Sequence, residues 1–133
     1  MKTVLEKMGL KPSMSARVTG LPEGLGGTFA GVPATGAGPV DWLVGFVADA
    51  AAIRAFAAGP LGDYRDGGHL WLCYPKKGGG LRTDITRDHG WGSLHEAGFL
   101  PVAQVAIDGT WSALRFRRRE EIPTLTRKSP TGG

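Results

Sequence analysis

Two apolar runs of strand length, DWLVGFV at 41–47 and HLWLCYP at 69–75, constrain this chain most. Neither alternates apolar with polar residues as a half-exposed strand would, so both read as strands covered on two faces, the pattern of a parallel sheet. Between them lies AAAIRAFAA at 50–58, where Ile53, Phe56 and Ala57 share one helical face. Asp49 is placed to cap this helix and Gly59–Pro60 to stop it. Strand, helix and strand over 41–75 make a crossover whose strands are parallel neighbours joined by a right-handed connection.

The flanks are read around this unit. Residues 2–10 suit a short amphipathic helix with Val4, Leu5 and Met8 on one side, and ARVTGL at 16–21 suits a short strand running into a turn at Pro22–Gly24. From there to Pro39 the chain is mostly Gly, Pro, Ala and Thr and reads as irregular, with at most a short strand at Thr28–Gly31. Residues 59–68 read as turns, and Thr86–Ala97 is predicted as a helix with Trp91 and Leu94 turned inward. PVAQVAI at 101–107 and TWSALRFR at 110–117 read as strands joined by a two-residue hairpin turn at Asp108–Gly109. The last stretch, REEIPTLTRKSPTGG, has no periodicity and reads as a disordered tail over 119–133. The expected fold is one α/β domain over 1–118, a three-layer Rossmann-like mixed sheet of parallel strands plus a C-terminal antiparallel hairpin.

Composition agrees with one folded domain: 133 residues, 41% hydrophobic, with four tryptophans. The 22 glycines and 9 prolines argue against a helical bundle. The single cysteine, Cys73, lies in an apolar run and reads as a small buried hydrophobe. Charges at Lys2, Glu6, Lys7 and Lys11 interrupt any apolar leader, and the longest apolar stretch, Val40–Ala48, is too short to span a bilayer. The expectation is a cytoplasmic protein with no membrane partner. His69, His89 and His95 lack metal-ligand spacing, so no metal is expected.

Ligands of open parallel sheets bind beyond the carboxyl ends of the strands. Three segments should meet there: Gly20–Gly27, Ala48–Asp49, and Tyr74–Asp88, which reads YPKKGGGLRTDITRD. In the last, Gly78, Gly79 and Gly80 let backbone amides approach a ligand, while Lys76, Lys77 and Arg82 supply positive charge, with Thr83 and Asp84 following. The lysines precede the glycines, unlike a P-loop, and a lysine- and glycine-rich connection with Asp84 or Thr86 capping the next helix explains the same residues. Asp84, Arg87 and Asp88 suit a salt-bridged network at that helix start. On the hairpin, alternation puts Trp111, Ala113, Arg115 and Arg117 on one face. Either Trp111 is buried and Arg115 pairs with Asp108 or Asp84, or this face docks a partner or stacks on a base.

The order strand, helix, strand, helix, hairpin, with the phrase DGGHLWLCYPK at 66–76, resembles the C-terminal half of a Rossmann-like methyltransferase. At closer range EKMGLKP, WLCYPK, TDITRD, QVAIDGTWSALRFR and the final PTGG are similar to a family of small bacterial proteins of unassigned function, frequent in actinobacteria. The resemblance implies a methyltransferase-like fold. It does not bring the cofactor loop: Gly24, Gly26 and Gly27 in LPEGLGG lack the G-x-G-x-G spacing, and no acidic residue ends a following strand. The expectation is therefore a non-catalytic binding or protein-interaction module on a degenerate fold, with no cofactor and S-adenosylmethionine not bound. Its partner would be a protein or a small anionic ligand. Two alternatives stay open. One is a nucleotide- or phosphate-binding protein, or an S-adenosylmethionine-dependent methyltransferase, using the Lys76–Asp88 loop. The other is weak nucleic-acid binding through the basic hairpin and C-terminus, which carry much of a net charge of +4.

Overall fold

The two apolar runs become the middle of a five-stranded sheet in the computed structural model, which describes residues 3–33, 38–78, 80–81, 83–86 and 89–122. In chain order the elements are α1 (Val4–Lys7), β1 (Ala16–Thr19), β2 (Val40–Phe46), α2 (Ala50–Ala58), β3 (Tyr64–Pro75), α3 (Gly92–Glu96), β4 (Phe99–Ala106) and β5 (Trp111–Arg118). Strand order is β1-β2-β3-β5-β4. β1, β2 and β3 are parallel, and β5 is antiparallel to both β3 and β4. The hairpin thus folds back so that its second strand, not its first, joins the parallel set.

Side chains alternate to two cores. On one face Leu43, Leu70, Leu72, Leu114 and Phe116 pack under α2 and α3, which contribute Ile53, Phe56 and Leu94. On the other, Trp42, Val44, Trp71, Cys73, Trp111 and Ala113 lie under Met8, Leu25 and Phe29 from α1 and the irregular segment. Sheet, helices and this covering segment give the three expected layers. Gly45 is required on the first face: a Cβ there would stand 2.4 Å from the Phe56 ring. On the second, the Met8 carbonyl accepts hydrogen bonds from the indoles of Trp42 and Trp71, each at 2.8 Å.

Several expectations change. Thr28–Gly31 is no strand, because Phe29, Ala30 and Val32 donate their amides to carbonyls three or four residues earlier and Phe29 turns into the core. The turn expected over 59–68 is a 3₁₀ turn at Pro60–Asp63, after which β3 already begins at Tyr64 and passes an irregularity opposite Val40 and Trp42. The helix predicted over 86–97 shrinks to Gly92–Glu96, since Thr86 and His89 exchange backbone hydrogen bonds in a turn and Gly90 is left-handed at φ 100°. The hairpin is not closed by two residues: Ile107 and Asp108 both donate amides to the Trp111 carbonyl, and the Asp108 carboxylate holds the amides of Thr110 and Trp111.

The tail departs from expectation at its start. Arg119–Glu121 is a 3₁₀ turn, and only 123–133 lie outside the described residues. Glu121 accepts from the Tyr64 hydroxyl and from the amides of Gly67 and Arg118, while Arg118 lies over the rings of Tyr64 and Phe99 and pairs with Asp66. Burial pushes the Glu121 carboxyl up, but these hydrogen bonds and the Arg117 charge outweigh it and hold the group below the usual range. Tyr64 moves the other way, raised by burial and by Glu121.

Glu121→Ala should cost about 1–3 kcal/mol in urea unfolding, because it strands two amides and a hydroxyl. A folded-state pKa below the unfolded one adds stability that is present above the ordinary glutamate range and lost as pH falls through the folded value. Glu121→Gln should accordingly flatten the acid limb of the stability profile. Gly45→Ala should destabilise by about 1–3 kcal/mol through overpacking against Phe56.

Candidate functional site

Because β1, β2 and β3 are parallel, their carboxyl ends, Thr19, Phe46 and Pro75, share one edge of the sheet. The β4–β5 loop reaches the same edge, where the Thr110 carbonyl accepts from the Lys76 amide at 2.7 Å. The three segments expected there do converge, and they pack on one another. Gly20, at φ 71°, passes so close to the end of β2 that a Cβ would be 2.9 Å from the Phe46 carbonyl. Only glycine permits both that φ and that approach.

Aromatic rings fill the face beside these strand ends. Phe46 meets Phe29 edge-on at 5.4 Å and Trp111 at 5.2 Å, a three-ring ladder from the irregular segment to the start of β5. Cys73 and Ala113, paired across β3 and β5, are small and fully buried here. Burial pushes the Cys73 thiol well above its ordinary pKa, so it serves as a hydrophobe.

At the start of α2 the amide positions that an anion would use are taken by the chain's own carboxylates. Asp49 accepts from the Ala52 amide at 2.9 Å and Asp84 from the Ala50 amide at 2.8 Å. Asp84 was one of two residues, with Thr86, expected to cap the helix after it, but it folds back onto the helix before β3. Two carboxylates already complement the positive end of the α2 dipole, so a further anion would meet repulsion there.

The remaining residues of YPKKGGGLRTDITRD divide into anchors and a tip. Tyr74 is buried, its ring edge-on to Trp91 at 5.5 Å and its hydroxyl accepting from Gln104. Lys76 is half-buried, whereas Lys77 and left-handed Gly78 are exposed. The Thr83 hydroxyl accepts from the Ile85 amide, and Ile85 is buried in the core under α3. Gly79, Arg82, Arg87 and Asp88 lie outside the described residues, and the network expected of Arg87 and Asp88 lies there with them.

The hairpin also departs from expectation. Trp111 is buried, as one reading had it, but Arg115 pairs with neither Asp108, which closes the hairpin loop, nor Asp84, which caps α2. By register Arg115 and Arg117 lie on the same sheet face as Trp111 and Ala113, the face that Met8, Leu25 and Phe29 cover. Sequence reasoning read β4 as a hairpin strand over 101–107 but missed its place at the edge of the sheet. Residues 99–107, FLPVAQVAI, carry no charge, and Phe99–Ala106 of them form an outer strand of the sheet, with Pro101, Val102, Ala103 and Gln104 exposed. The absence of charge over nine residues was the available signal. Among the described residues no His, Cys, Asp or Glu group converges to hold a metal, and no helix is long and apolar enough to cross a membrane. A separate cleft of about 460 Å³ lies between α1 and the irregular segment, lined by Leu5, Leu10, Pro12 and Pro33 among others.

Asp84→Ala should lower stability by about 1 kcal/mol by removing a cap from α2. Urea unfolding of this variant beside Asp49→Ala checks it; no loss would mean that Asp84 does not hold the helix.

Comparison with family models and with curated proteins finds no match. Among solved structures, the ribosomal protein L11 methylase of Lactobacillus delbrueckii subsp. bulgaricus aligns at 12% identity and a TM-score of 0.56, covering 86% of this chain and 74% of that one. The fibrillarin pre-rRNA processing protein of Methanococcus jannaschii aligns at 15% identity and a TM-score of 0.46, covering 77% of this chain and 55% of that one. At such identities the likeness speaks for architecture alone. The mixed sheet, three parallel strands followed by a reversed hairpin, is a methyltransferase-like α/β fold.

Proposed function

We propose that this chain is a non-catalytic binding module that keeps a methyltransferase-like sheet without its cofactor site. The carrying observation is the closed carboxyl edge, where Phe29, Phe46 and Trp111 meet edge-on and Asp49 and Asp84 occupy the first turn of α2. S-adenosylmethionine needs a glycine loop for close backbone approach and a carboxylate for its ribose hydroxyls. Here β1 leads through Gly20 and Pro22 into a 3₁₀ turn that buries Leu25, and the neighbouring strand β2 ends in Phe46. These residues do not fit the cofactor, and no methyl-transfer step is assigned to them.

The surface this reading offers a partner is β4. Natural edge strands are blunted by charge, proline or bulges, and β4 has only Pro101 and an irregularity between Pro101 and Ala103. Its free main-chain edge suits strand addition by an extended, uncharged segment. A second copy of β4 meets that description, since it brings no like charge to the junction.

S-adenosylmethionine should leave the melting temperature unchanged at concentrations where a bound ligand would raise it; a saturable rise of several degrees would overturn the reading. In sedimentation velocity the chain should associate with increasing concentration, and Ala103→Lys should stay monomeric. An unassociated wild-type chain would remove β4 self-pairing while leaving the melting test to decide on the cofactor.

A further inference from the structure

The sheet face under α1 carries cations that the closed carboxyl edge does not use. His69 on β3 and Arg117 on β5 lie one step beyond the paired Leu70 and Phe116, and Arg115 lies opposite Trp71 on the same face. Cross-strand neighbours of this kind stand about 5 Å apart and diagonal ones about 7–8 Å, within reach of long side chains. Residues 8–11 cross above them. Gly9, at φ 81°, rides directly over the imidazole, where a Cβ would be 2.7 Å from Nε2. The charge of Lys11 is felt at His69 as well.

Two buried polar atoms here have no partner: Nδ1 of His69 and Nε of Arg115. No described residue is hydrogen-bonded or ion-paired to the Arg115 or Arg117 guanidinium or to the Lys11 ammonium. Elsewhere Arg17, Arg65 and Arg118 are each ion-paired to an aspartate, Asp63, Asp41 and Asp66 respectively. The carboxylate whose field reaches Arg115 is Glu121, and its oxygens are committed to Tyr64, Gly67 and Arg118. Burial, then the neighbouring Arg117, lowers the Arg115 pKa, and burial, then Arg115, Lys11 and Arg117, lowers that of His69. Two partly buried guanidinium groups side by side on one sheet face are costly without a counter-charge.

We propose that His69, Arg115, Arg117 and Lys11 form a site for a multiply charged oxyanion of the phosphate or phosphate-monoester class. Two guanidinium groups and an ammonium carry three positive charges between them, matching a dianion with residual attraction. A planar guanidinium presents paired N–H donors to two phosphate oxygens at once. Arg115 Nε and, as its Nδ1–H tautomer, His69 would add two donors from residues on the same sheet face. The site lies toward the amino-terminal half of β2, where Trp42 pairs with His69, away from the carboxyl edge. It is therefore independent of the closed cofactor edge, and the failure of either leaves the other standing.

The test is isothermal titration of the full chain with inorganic phosphate, with sodium chloride at matched ionic strength as control, and imidazole ¹⁵N shifts of His69 followed in parallel. Saturable phosphate binding that moves the His69 Nδ1 resonance is expected. Arg115→Gln should weaken it at least tenfold; should that variant fail to fold, Lys11→Ala at an exposed position should weaken it severalfold. Adding phenyl phosphate in a second arm separates the sources: equal binding indicates free phosphate chemistry and tighter binding a monoester. Absence of binding beyond the chloride control, or binding that neither folded variant weakens, would overturn the proposal.

Discussion

One carbonyl organises the second face of this protein. Met8 accepts the indole protons of both Trp42 and Trp71, so the two largest side chains of adjacent strands are satisfied by a single backbone oxygen. Buried indoles need such a partner, and a charged or flexible cover would not supply it. The capping box at Thr3 and Glu6 sets the short helix α1 that carries this carbonyl into place. From there Gly9 is laid over the imidazole of His69 on β3. A nominally weak four-residue helix thus becomes a fixed layer.

The carboxyl edge follows a different logic. In open parallel sheets it is the natural place for a ligand, because loops diverge there and leave a crevice. Here the loops converge. The segment after β1 feeds Leu25 and Phe29 into the core, the end of β2 supplies a ring between two others, and the loop after β3 returns Asp84 to the helix before it. Each of these contacts uses a group that a nucleotide-like ligand would otherwise meet. The chain thus shares its architecture with the L11 methylase, while its own side chains pack on one another at this edge.

What the sequence made legible follows the range of the interactions. β2, α2 and β3 were readable because continuous apolar runs and an Asp cap act locally, and the hairpin strands because alternation does. The reversed order of β4 and β5 was not readable, since it depends on Leu72 choosing Leu114 across the sheet. The 119–121 turn read as disorder because its glutamate is fixed by Tyr64, 57 residues earlier. Asp84 was assigned to the wrong helix for the same reason, its partner Ala50 being 34 residues upstream. The described part of YPKKGGGLRTDITRD does follow the carboxyl end of β3, and burial of Tyr74 was legible in the apolar run HLWLCYP, whereas nothing in the loop's composition marked Ile85 as a core residue.

The central claim is that the chain's own side chains close the carboxyl edge. Amide hydrogen exchange over residues 46–52 and 74–86, with and without saturating S-adenosylmethionine, tests it most directly. The account predicts that Val47, Ala50 and Ala52 are protected in the free protein and that the cofactor changes none of them. Fast exchange at Ala50 and Ala52 that slows on addition of the cofactor would contradict it.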